Sequence, residues 1–153
     1  MPDRRHSIER EIFPVLAEQG ELNGLAFEGY FIDAGTPEAW CDGVARCIQE
    51  SRFNTGSIES DSWFSDIEQT KMNSVAIEQS MVCSGVVAED CQITRTTLLA
   101  DSKVNSGAKL KNCLIGAGAV IGLNAELQNV VIDHGAMVPD GHLQVGGQWP
   151  PAM

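Results

Sequence analysis

A chain of 153 residues, 43% hydrophobic and 20% charged, is long enough for one domain with its own core and too apolar to stay disordered. Its net charge of −11, most of it from the ten acidic and four basic residues among the first fifty, offers no basic footprint for nucleic acid phosphates. No apolar run approaches the ~18 residues of a membrane span, and "MPDRRHSIEREIF" has no secretory apolar core. Five cysteines, an odd number without a CxxC, predict reduced thiols and a cytoplasmic setting.

From the N-terminus, Ser7 followed by "IEREIFPVLAEQG" predicts a helix. Ser7 is its N-cap, Ile8, Ile12, Val15 and Leu16 form its apolar stripe, Gly20 is its stop, and Pro14 should bend or split it. "LNGLAFEGYFIDAG" alternates enough for one or two strands. "TPEAWCDGVARCIQESR" predicts a second helix, with Thr36 as N-cap, Pro37 at the first helical position and Glu38 near the positive end of the dipole. Residues 51–73 are polar with a few aromatics and read as a linker.

From Met81 the chain divides into rows of seventeen, the strongest signal in the sequence. Met81, Leu98, Ile115 and Ile132 lead one column; Val87, Val104, Ile121 and Val138 a second; Ile93, Leu110 and Leu127 a third. The register is open by one residue at Met81–Val82. Spacings of six, six and five predict a triangular coil with one inward apolar residue per side. Each side is then a short parallel strand, stacked on its neighbours at about 4.8 Å. Gly85, Ser102, Ala119 and Ala136, and in the next column Cys91, Ala108 and Ala125, are small enough for tight corners. Gly116 and Gly122 are read as sites of unusual backbone angles. The stack should end after Val138, where His142 takes a corner and Gln144 an inward position, leaving 147–153 as a tail.

These columns, above all "LIGAGAVIGLNAELQNVVI", resemble the hexapeptide-repeat, left-handed parallel β-helix family over residues 74–146. The expectation is a mainly β chain with about four coils and a small helix–strand–helix piece over residues 1–50. A second resemblance lies there. "SIEREIFPVLAEQGEL" with "FEGYFIDAGTPEAW" is similar to the closing segment of sugar-1-phosphate nucleotidyltransferases, nearest the mannose-1-phosphate and heptose-1-phosphate guanylyltransferase branch. Ala34 and Trp40 depart mildly from that pattern. The larger departure is that neither a Gly-rich G-x-G-T-R-L-type phosphate loop nor an earlier metal-binding aspartate occurs in these residues. The resemblance implies that Asp33 is the second metal-binding aspartate and that Glu9 borders the sugar-phosphate pocket. Asp33 before Gly-Thr-Pro equally suits a turn-former that accepts backbone N–H bonds.

The reading of function is therefore a truncated or split sugar-1-phosphate nucleotidyltransferase, not catalytic alone, with the β-helix as an assembly or regulatory module. Magnesium enters only with a complementing catalytic half. The expected partners are further copies of the chain, a trimer by the same resemblance, and a chain supplying the missing half. The alternative is a hexapeptide acyltransferase binding acyl-coenzyme A between subunits, with an outward His134 or His142 as base. A three-histidine zinc site would need His6, distant in the chain, to join them. The cysteines, Cys91 at a small inward corner, Cys113 in line with Thr96 and Val130, and Cys41 and Cys47 six apart on the second helix, read as structural.

Overall fold

The computed structural model describes residues 7–26, 28, 29 and 31–151. It contains two compact units, residues 1–31 and 32–153. In the first, Ser7 caps a π-helical turn (Ile8–Ile12), its hydroxyl accepting from Arg10 N at 3.3 Å, and helix α1 (Phe13–Glu18) follows. Pro14 has no N–H to give to the preceding turn, and the helix is split here, one of the two outcomes expected of it. The expected strands between Leu22 and Gly35 do not form among the described residues, which have no strand partner there; Phe27 and Tyr30 lie outside them.

In the second unit, helix α2 (Pro37–Gln49) precedes five coils of strands. The first coil is β2 (Ser62–Phe64), β3 (Lys71–Asn73) and β4 (Ala76–Glu78); β1 (Ser57–Glu59) pairs antiparallel on its edge. The second is β5 (Met81–Val82), β6 (Val87–Glu89) and β7 (Gln92–Thr94). The third is β8 (Thr97–Leu98), β9 (Lys103–Val104) and β10 (Lys109–Lys111). The fourth is β11 (Leu114–Ile115), β12 (Val120–Ile121) and β13 (Glu126–Gln128). The fifth is β14 (Val131–Ile132), β15 (Met137–Val138) and β16 (Leu143–Val145), and β17 (Gln148–Trp149) starts another turn. Stacking joins them into three parallel sheets, β2-β5-β8-β11-β14-β17, β3-β6-β9-β12-β15 and β4-β7-β10-β13-β16. The fold is a left-handed β-helix, one coil longer than expected, because the stretch 51–73 contributes strands of its own.

The registers give the inward columns. Phe64, Val82, Leu98, Ile115, Ile132 and Trp149 line the first sheet. Met72, Ala88, Val104, Ile121 and Val138 line the second. Ile77, Ile93, Leu110, Leu127 and Gln144 line the third. Expectation and structure part in the second coil, where Val82 and Ala88 point inward instead of Met81 and Val87. That coil is one residue shorter than the next, and a one-residue slip along a strand exchanges its two faces. Val86, not Gly85, then fills the corner held by Ser102, Ala119 and Ala136 in later coils, and the small Ala88 beside it compensates for its bulk. Gly116 and Gly122 serve close approach. A Cβ on either would sit 2.5 Å from backbone of the next coil.

The corner between the third and first sheets is polar and fully buried: Ser62, Ser80, Thr96 and Cys113 stack there, then Val130. Ser62 Oγ accepts from Ser80 N at 3.1 Å, Ser80 Oγ from Thr96 N at 3.1 Å, and Thr96 Oγ1 from Cys113 N at 3.2 Å. The Ser80 and Thr96 hydroxyls also donate to Glu78 O and Thr94 O, at 2.7 and 3.0 Å. The Ser80 and Thr96 hydroxyls thus have partners in both roles, the condition for tolerating polar groups in a core.

Candidate functional site

Helix α2 links the Asp33 turn to the solenoid. Thr36 Oγ1 accepts from Ala39 N at 3.2 Å, Pro37 supplies the preset first turn, and Glu38 sits at the positive end of the dipole, as expected. Cys41, Val44, Ala45 and Ile48 recur at helical spacing and are buried. Val44 and Ile48 pack on Trp63, with Phe53 and Met81 at the margin; Phe53 and Trp63 stack with ring centroids 4.6 Å apart. Trp40 Nε1 donates to Thr97 Oγ1 at 3.0 Å, and Asp42 forms an ion pair with Arg95. The helix therefore rides the outer face of the first sheet. Ile32 packs over Gly43, where an added Cβ would be 3.2 Å from its side chain. This seats the chain just before Asp33.

Asp33 is exposed, and its Oδ1 accepts from Gly35 N at 3.1 Å, the geometry of a turn-forming aspartate. Among the described residues nothing hydrogen-bonds its other oxygen. Glu9 is also exposed, in the π-helical turn, and belongs to the other compact unit. Among the described residues no group of three His, Cys, Asp or Glu could hold a metal ion. A family magnesium would find one carboxylate oxygen here, so these residues by themselves do not make its site. Two clefts flank the start of α2. One of about 310 Å³ is lined by Trp40, Thr97, Leu114, Val131 and His134. The other, of about 490 Å³, is lined by Thr36, Glu38, Asn129 and Gln148.

Each of the two described histidines has its own partners. His134 is exposed and faces outward as expected, but its Nδ1 accepts from Ala117 N at 2.9 Å. The neutral ring then carries its proton on Nε2, and the nitrogen that a general base needs is engaged by backbone. His142 Nε2 lies 3.0 Å from Gln144 Oε1, with its ring against Trp149. His6 lies outside the described residues. The buried thiols are also unsuited to attack. Burial, then the neighbouring Cys113, pushes Cys41 up to about 11; burial pushes Cys91 to about 11 and raises Cys83 and Cys113.

The alignment of Cys113 with Thr96 and Val130 was visible in the sequence, but its extension to Ser62 and Ser80 was not. Neither were the Trp40–Thr97 and Asp42–Arg95 contacts, since side-chain pairs across 53 to 57 residues leave no periodic trace.

Comparison with known proteins places these features in a family. Residues 65–149 match the family described as GlmU-like, C-terminal hexapeptide. Mannose-1-phosphate guanylyltransferase catalytic subunit beta of Danio rerio is 26% identical, over 94% of this chain and 42% of its own length. Glucose-1-phosphate adenylyltransferase of Pasteurella multocida is 23% identical, over 95% of this chain and 37% of its own. Among solved structures, perosamine N-acetyltransferase of Caulobacter crescentus with CoA and GDP-perosamine gives a TM-score of 0.43 at 17% identity, covering 87% of this chain and 70% of that one. The chain spans about two fifths of the length of the curated relatives it matches. With more than half of its residues matched to one family model, and the repeat columns stacked as a β-helix, the chain belongs to the GlmU-like, C-terminal hexapeptide family.

Proposed function

We propose that this chain is the closing end of the catalytic domain together with the β-helix of a truncated or split sugar-1-phosphate nucleotidyltransferase, the β-helix acting in assembly or regulation and the chain not catalytic alone. The observation that carries this reading is the joining of α2 and the Asp33 turn to the solenoid in one compact unit, within a chain whose relatives align over nearly its whole length. Phosphoryl chemistry on a nucleotide needs backbone N–H groups around the phosphates and a metal shared by carboxylates and phosphates. The sequence holds no Gly-rich phosphate loop, and Asp33 offers a single carboxylate. A complementing nucleotide-binding portion would bring the loop and the second carboxylate, and α2 would hold Asp33 in place for a shared magnesium. Glu9 would then border the sugar phosphate.

As an assembly module the chain is a homotrimer in this reading. Met137, Leu143 and Val145, 74, 70 and 77% exposed, leave apolar surface on the outer faces of the second and third sheets that neighbouring copies would cover. The reduced thiols of Cys41, Cys83, Cys91 and Cys113 suit a cytoplasmic setting. The test is pyrophosphate release from a nucleoside triphosphate and a sugar 1-phosphate with magnesium. The isolated chain should release none above background; saturable release would overturn the proposal.

A further inference from the structure

The end of the stack at its last coil differs from every coil before it. Strands β15 and β16 have no partner on their outer edges among the described residues, and open parallel edges invite another strand. At the opposite end, β3 and β4 are open too, with Met72 and Ile77 as the first inward layer. A second copy could therefore in principle set its first coil on the last coil of the first.

Four features stand against that. Pro139 has no N–H, and it occupies the position at which Asn105, two coils earlier, donates its N–H to Ile121 O of the next coil. Met137 O, an edge acceptor of β15, is already taken by the indole N–H of Trp149 at 2.9 Å. Trp149 occupies the inward column above Ile132 and packs on the core, so its ring reaches from the first sheet to the second across the end of the stack. Gln144 stands where Leu110 and Leu127 stand below it, and its amide is held at this end. Its Nε2 donates to Gly146 O at 2.9 Å, and its Oε1 meets His142 Nε2 at 3.0 Å.

We propose that Pro139, Gln144 and Trp149 form a built cap that keeps a second copy of this chain from extending the solenoid end to end. An incoming coil would have to displace the indole from Met137 O and bury the Gln144 amide without its partners, while gaining no N–H from Pro139. The purpose is the one edge-blunting serves elsewhere, protection of an open sheet from its own copies.

The test compares the wild-type chain with Gln144→Leu, Trp149→Ala and the double variant, by light scattering over a wide concentration range and by small-angle scattering. The wild-type mass should stay constant. The variants should gain mass with concentration, to at least twice the wild-type value. Their longest dimension should grow while the cross-section stays constant. Gln144→Leu restores the residue type of the lower coils, so it keeps the test alive if Trp149→Ala fails to fold. Variants that give the wild-type circular dichroism and the wild-type mass at every concentration would overturn the proposal. So would growth in cross-section, which would show lateral association. The readout is relative to the wild type and stands whether or not the lateral trimer is correct.

Discussion

Removing one hydroxyl from the solenoid core should have opposite effects at two serines. Ser80 and Ser102 are both fully buried, each at a corner of a coil. Ser80 Oγ accepts from Thr96 N and donates to Glu78 O. Ser80→Ala leaves the buried Thr96 N–H without a partner, at a cost of about 1–3 kcal/mol. Ser102 Oγ is buried with no hydrogen-bond partner. Ser102→Ala removes that cost and places the residue already used at this corner in the two following coils, Ala119 and Ala136, so about 1 kcal/mol should be gained. At roughly 2–4 °C per kcal/mol for a domain of this size, Ser80→Ala should lower Tm by about 6 °C and Ser102→Ala raise it by about 3 °C. Thermal unfolding followed by far-ultraviolet circular dichroism reads both. Shifts of the same sign would refute the assignment of a satisfied ladder at one corner and an orphaned hydroxyl at the other.

Ile48→Ala should cost about 2–4 kcal/mol by opening a cavity under α2. Hydrogen exchange should then show faster exchange at 37–49 and unchanged protection at 97–132. Trp40→Phe, which loses the bond to Thr97 and part of the ring's contact area, should cost about 1 kcal/mol or somewhat more on the same unfolding assay. Gly116→Ala drives a Cβ into the backbone of Asp133 and His134 and should destabilise by about 3 kcal/mol, measured by urea denaturation; a neutral result would contradict the close approach of the coils. The folded thiols of Cys41 and Cys91 hold their protons more tightly than the unfolded ones. Their contribution to stability is complete below pH 9 and declines as pH rises from 9 toward 11, so Tm should fall across that window, and less steeply in a Cys41→Ala, Cys91→Ala double variant.

The later coils were legible because each side has one apolar residue facing in and polar ones facing out. Leu110 between Lys109 and Lys111, and Leu127 between Glu126 and Gln128, state the alternation openly. The second coil misled because both faces of β5 are apolar. Met81 faces outward but is covered by Val44, Ile48 and Trp63, so burial on both sides erased the pattern. The first coil was hidden by the turn between Phe64 and Met72, where Asp66 accepts from Glu68 N and Gln69 N and the repeat spacing is lost. Alternation at 22–35 predicted strands that have no strand partner among the described residues. At the site, the cap of α2 and the Asp33 turn follow from local chemistry and were readable. The clamp of α2 on the solenoid depends on tertiary contacts and was not.

The most direct test of the assembly role is the solution mass of the purified wild-type chain by light scattering. The mass should be three times the 16.5 kDa of one chain, independent of concentration. A monomer at every concentration would contradict it, since the exposed outer faces of the last coil would then have no copy to cover them.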